Sequence, residues 1–101
     1  MLTKLEKDNL EMLILAFLSK EPSYGYKIIN DLESVVKISE STLYPILRRL
    51  KSKGDLESYS VVVNGRIRKY FRITKQGEKR VKLFREDIIN ISNIFSYIIK
   101  K

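Results

Sequence analysis

The stretch VVVNGRIRKYFRIT, Val61 to Thr74, decides how the chain is read. Residues of β-forming type run into Asn64-Gly65, and a second strand follows. A two-residue type I′ turn needs φ > 0 at both central positions, which is why Asn-Gly is favoured there. Such a turn fixes the register: Val63 faces Arg66, Val61 faces Arg68, Tyr59 faces Tyr70 and Glu57 faces Arg72. One face of the return strand then carries Arg66, Arg68, Tyr70 and Arg72. The opposite face of the hairpin carries Leu56, Val62, Ile67, Phe71 and Ile73, with Lys69 among them, and is expected to lie against helices. What remains to be explained is three arginines and a tyrosine in a row along one side of a ribbon.

Upstream, Lys53-Gly54 is a helix stop, with Gly54 supplying the left-handed position after the last turn. Ser39 is placed to N-cap a helix over Glu40–Ser52, whose Leu43, Ile46, Leu47 and Leu50 fall on one face at 3-4-3 spacing. The opposite face presents Ser41, Tyr44, Pro45, Arg48 and Ser52, with Thr42 and Arg49 at its edge. Pro45 removes a hydrogen bond from a helix interior, so a late start or an irregular first turn is expected. Earlier still, Leu5–Leu18 has helical spacing through Leu10, Leu13, Ile14, Phe17 and Leu18. Lys20-Glu21-Pro22-Ser23 breaks it, and Ser23 is expected to cap a second helix over Tyr24–Glu33 that buries Ile28, Ile29 and Leu32. Gly25 in its first turn suggests that another backbone approaches closely.

Downstream, Thr74 is placed to cap a last helix reaching Ile99. Its Val81, Phe84, Ile88, Ile91, Phe95 and Ile98 repeat at 3-4-3-4-3 spacing, a seam about three heptads long. Ile89, Ile94, Tyr97 and Ile99 add apolar positions beside it. So apolar a helix needs more cover than a head of this size offers, and pairing of two copies is the simplest cover.

The composition narrows the rest. The chain has 101 residues, 44% hydrophobic and 32% charged, with no cysteine and no histidine. Disulfides, thiolate chemistry and cysteine metal sites are thereby excluded, and the commonest general base and metal ligand is missing. No cofactor, metal or catalytic residue is expected, and no apolar run approaches the ~18 residues of a membrane span. Glu6, Asp8 and Glu11 interrupt the opening as a signal peptide would not allow. A cytoplasmic location is expected. Net charge is +8, and between Tyr44 and Lys82 twelve Lys/Arg stand against three Asp/Glu. Bases concentrated in the middle of a chain form an electrostatic footprint suited to a polyanion.

Three helices followed by a hairpin is the order of a winged helix-turn-helix, mostly α with a small β-hairpin. A domain over 1–74 would bind, and a C-terminal helix over 75–101 would dimerise, both in one compact unit. In that geometry the third helix enters the major groove and the wing rides over phosphates. Thr42, Tyr44, Arg48 and Arg49 on the helix, and Arg66 and Arg68 beside the Asn64-Gly65 tip, become candidate DNA contacts. The alternative is a winged-helix module whose basic face docks an acidic protein. Single-stranded RNA is disfavoured by the lack of an aromatic pair on a broad sheet.

Four segments carry a resemblance: MLILAFL (12–18), EPSYGYKII (21–29), STLYPILRRLKSKG (41–54) and NGRIRKYFRITKQG (64–77). In wording, order and spacing they resemble the PadR family of transcriptional regulators, and the short single last helix resembles its smaller subgroup. The resemblance implies a homodimeric repressor on a pseudo-palindromic operator, paired through the C-terminal helix and often through the first helix, here Leu10, Leu13 and Phe17. It places recognition contacts at Thr42 and Tyr44, beside the candidate Ser41 on the same exposed face, and wing contacts at Gly65, Arg66 and Lys69, with Tyr70 in an aromatic wing motif. A small apolar effector at the dimer interface is in keeping with it. Glu40-Ser41 departs from the family's usual small Pro-Gly pair, bringing a negative charge to where phosphates would pass.

Overall fold

A computed structural model describes residues 2–100. Its elements are α1 (Lys4–Asp8), α2 (Leu10–Leu18), β1 (Ser23–Tyr24), α3 (Gly25–Leu32), α4 (Glu40–Lys53), β2 (Leu56–Val63), β3 (Arg66–Ile73) and α5 (Lys75–Ile99). The hairpin has the register that its turn dictates, from Val63 opposite Arg66 to Leu56 opposite Ile73. Asn64 and Gly65 sit at φ 52° and 77°, the two left-handed positions of that turn.

The sheet holds a third strand. β1 pairs antiparallel with β3, Ser23 opposite Phe71 and Tyr24 opposite Tyr70, so the order is β1-β3-β2. The expected N-cap at Ser23 is therefore corrected. Pairing with β3 holds this residue extended and buried, its hydroxyl has no hydrogen-bond partner among the described residues, and extended Tyr24 occupies the cap position. The single first helix is also corrected to two pieces. Asn9, at φ −111° and ψ 11°, divides them, and its side-chain amide donates to the Leu5 carbonyl at 2.8 Å in competition with the helical ladder. Thr3 and Glu6 close a reciprocal capping box on α1.

α4 begins at Glu40 with Ser39 as its cap, and Pro45 lies inside it. The late start expected from the proline does not occur. The bond lost is the one to the carbonyl of Ser41, an exposed residue that water can reach. Leu43, Ile46, Leu47 and Leu50 pack with Leu10, Ile14, Leu15 and Leu18 of α2, and with Ile28, Ile38, Leu56 and Phe71. Burial of each contributes about 1.5–3 kcal/mol before conformational entropy is set against it. The core ends partway along the hairpin. Leu56 and Phe71 reach it, whereas Val62 and Ile67, opposite one another, are 71% and 77% exposed. Strand alternation assigned them to the correct face, but no helix extends beneath that end of the wing.

α5 leaves the head as a rod. The molecule measures 61 × 31 × 19 Å with a radius of gyration of 15.6 Å, against about 13 Å for a compact chain of this length. Thr74 caps α5 by accepting from the Gly77 amide at 3.1 Å. Val81 packs against the core, while the apolar side chains from Ile88 to Ile99 are 45–66% exposed. Leu10, expected on the same interface, is instead a core residue of its own domain at 5% exposure. Leu13 is partly open and Phe17 packs on the rim of the core. No helix among the described residues is long and apolar enough to cross a membrane.

Candidate nucleic-acid interface

α3 and α4 pack as the two arms of a helix-turn-helix, and one close contact fixes where a central residue of the second arm lies. The Tyr44 ring rests on Gly25 at the start of α3. A Cβ built on Gly25 would stand 2.7 Å from the ring's Cζ and closer still to its hydroxyl. The approach expected at Gly25 is thus made by an aromatic side chain rather than by backbone. Tyr44 remains partly exposed and faces an open groove of about 690 Å³. The wing forms the other wall through Asn64, Arg66, Arg68 and Lys69. Gly65, at the tip, has open space where a side chain would be.

The arginine face of the wing is not a uniform row. Tyr70 stacks on Tyr59, with ring centroids 5.6 Å apart, and meets Tyr24 edge-on at 5.2 Å. Arg68 lies over Tyr24 at 4.1 Å, and Arg72 lies over Tyr59 at 4.8 Å while pairing with Glu57 at 3.4 Å. These cation–π contacts order two of the guanidinium groups and stiffen the ribbon between them. Arg66 has no ion pair or ring contact among the described residues and is exposed. Lys69 spans toward Phe71 at 5.6 Å on the opposite face. Of the three arginines, Arg66 is therefore the one most open to a new anion.

The helix candidates divide between two clefts. Ser41, Thr42 and Arg49 border a smaller cleft of about 370 Å³ against α1 and α2, away from Tyr44. Ser39 accepts from the Thr42 amide at 3.3 Å and donates to the Thr42 hydroxyl at 3.2 Å, so the Thr42 proton stays available to a ligand. Ser41 lies 3.0 Å from the same Ser39 oxygen. Glu40 is the acid in the first turn, where it faces the positive end of the helix dipole. Arg49 is held by Glu11 of α2 at 3.8 Å, and Lys53 meets the same carboxylate at 2.7 Å. Arg48 is exposed and borders neither cleft. On α3, Asp31 accepts a 2.6 Å hydrogen bond from Lys27 and raises that lysine's pKa, which keeps it cationic. No metal-competent group of acidic residues occurs among the described residues.

Two features of the site were not read from the sequence. Tyr24 and Tyr26 both line the main groove, and Tyr26 is exposed. The Glu11 clamp joins residues far apart in the chain, with no local signal to announce it.

With this geometry in hand, comparison with known proteins is decisive. The family model described as the PadR-like transcriptional regulator family matches residues 14–83. The chain belongs to that family. Its PadR fold has several solved counterparts. A PadR family transcriptional regulator from Eggerthella lenta is 31% identical, with a TM-score of 0.83 over 95% of this chain and 86% of that one. A PadR-like transcriptional regulator from Bacillus cereus gives a TM-score of 0.85 at 26% identity, covering 98% and 99%. A PadR family transcription regulator from Clostridium difficile gives 0.81 at 26%, covering 90% and 98%. No curated protein matches the chain. The PadR match spans the helix-turn-helix, the wing and the root of α5, which hold most of the four resembling segments.

Proposed function

We propose that this PadR-family regulator binds duplex DNA sequence-specifically as a homodimer and represses transcription by occupying a pseudo-palindromic operator. The observation that carries this reading is the shared groove. Tyr44 of the recognition helix and Arg66, Arg68 and Lys69 of the wing face one open space, with Thr42 on the same helix. That arrangement supports a helix reading base edges while the wing engages phosphates. The bare apolar side of α5 supports pairing of two chains. A two-fold dimer would then present its recognition helices to half-sites about 34 Å apart, or a multiple of it.

The test is fluorescence anisotropy of duplex DNA from upstream of the protein's own gene against a scrambled duplex of equal composition, over a salt series. Tighter binding of the native duplex that persists as salt rises is the expected result. Arg66→Ala should weaken binding to both duplexes alike and lower the salt slope by about 1. Substitution of Thr42 or Tyr44 should change the ratio between them. Failure to bind either duplex at low salt would overturn the DNA reading and leave the basic face to an acidic protein.

A further inference from the structure

The root of α5 grips the far end of the recognition helix. Asp55, between the α4 stop and β2, is fully buried. Its carboxylate accepts from Gln76 Nε2 at 2.9 Å and from the Arg80 guanidinium, both on α5. The same Gln76 nitrogen donates to the Lys53 carbonyl at 2.7 Å, and Thr74 Oγ1 donates to the Gly54 carbonyl at 2.6 Å. The Thr74 amide donates to the Asp55 carbonyl at 2.9 Å, and the Asp55 amide bonds back to Leu50 in α4. Gly77 lets α5 sit directly on the Asp55 carbonyl, where a Cβ would collide. Arg80 also reaches Met12 of α2 at 3.4 Å. The end of α4, the root of the wing and the first two turns of α5 are thus joined around one ion pair whose carboxylate is buried and whose guanidinium is partly open.

We propose that Asp55 and Arg80 are positioning residues that fix the angle between α5 and the reading head, and thereby the half-site separation that a paired molecule accepts. The second part rests on the dimeric DNA reading above. A carbonyl or hydroxyl contact tolerates sliding, whereas a carboxylate locked between a guanidinium and an amide has one low-energy arrangement. An ion pair with a buried member can fix a geometry while adding little stability over neutral side chains of similar volume. Because the joint touches α4 and the wing together, a change in the tilt of α5 would displace both DNA-facing walls as one body.

The natural chain lacks cysteine, so two labelling sites can be introduced cleanly. Nitroxides at the exposed positions 60 on β2 and 92 on α5 report the head-to-rod distance by electron–electron double resonance. A small fraction of doubly labelled full-length chain is mixed into unlabelled chain. Asp55→Asn combined with Arg80→Met removes both charges without leaving either one buried alone. The expected result is a narrow distance distribution in the parent and a distribution at least about twofold broader in the double variant, with unchanged helix content. Arg80→Lys, which retains charge but not the planar fork, should fall between them. On operators lengthened by one or two base pairs between half-sites, each pair adding about a tenth of a turn, the parent should lose affinity at least about tenfold more than the double variant. An unchanged distance distribution overturns the proposal, and so does an unchanged spacing preference. If the parent binds no duplex, the DNA reading and the spacing half of the proposal both fall, while the distance measurement still decides whether the joint exists.

Discussion

The head and the outer half of α5 are built from the same kinds of residue and end in opposite states. In the head, isoleucines and leucines from three helices and the sheet close on one another until they are sealed from water. On α5 from Ile88 outward, isoleucines and Phe95, of equal hydrophobicity, stand open. The difference lies in topology rather than in composition. α2, α3 and α4 turn back on one another, whereas α5 runs straight outward from a capped root. One set of apolar side chains is covered by its own chain, and the other is left open along α5.

The strongest way to break this comparison is within the sealed set. Leu47→Ala should cost the head about 2–5 kcal/mol, read from urea unfolding at fixed chain concentration. Phe95→Asp should leave the head's fold intact but weaken self-association by about 2–4 kcal/mol, seen as a shift to monomer in sedimentation velocity. If Phe95→Asp instead unfolded the head, the division between the two regions would be wrong.

Two glycines sharpen the contrast at the level of single contacts. Gly77→Ala meets the Asp55 carbonyl and the Ile73 side chain, neither of which can move aside, and should cost about 1–3 kcal/mol. Gly25→Ala meets the outer end of a tyrosine that is partly exposed. It should cost less than about 1 kcal/mol, because the Tyr44 ring can swing out, and should chiefly alter which duplex is preferred. The smallest effect is expected at Glu11→Gln, which frees Arg49 and Lys53. Affinity for all duplexes should rise a few-fold and the salt slope should steepen by up to about 1. No change in the slope would mean that neither cation reaches a phosphate.

The parts of this architecture that were legible in the sequence are those governed by local rules. The Asn64-Gly65 turn leaves one register for sixteen strand residues, and that register is the one observed. The α4 face, the Gly54 stop and the Thr74 cap are set within a turn or two of their own residues. Tertiary contacts account for what was missed. Ser23 has the chemistry of a cap, but pairing with a strand at the far end of the head made it extended. Val62 and Ile67 were placed on the right face, yet alternation carries no information about where the underlying helices stop. Asp55 is one of three acids in a basic stretch, and nothing local shows that it is buried beneath Arg80. The split of the helix candidates between two clefts follows from how α1 and α2 lie against α4, which helical spacing does not encode.

The two-residue strand β1 has a consequence for how the protein is made. It joins the start of α3 to the last strand of the head, so this contact closes only after both arms of the hairpin exist. During synthesis at about 5–20 residues per second, β1 waits seconds for its partner to be added. Until then Ser23 and Tyr24 have no ladder to hold them, and the apolar faces of α2, α3 and α4 lack the lid that Leu56 and Phe71 provide. Before β3 is made, the nascent head lacks the strand that closes this side. Nascent-chain proteolysis should find it cleavable when the chain stops before β3 and resistant once Ile73 has been added and is free to fold.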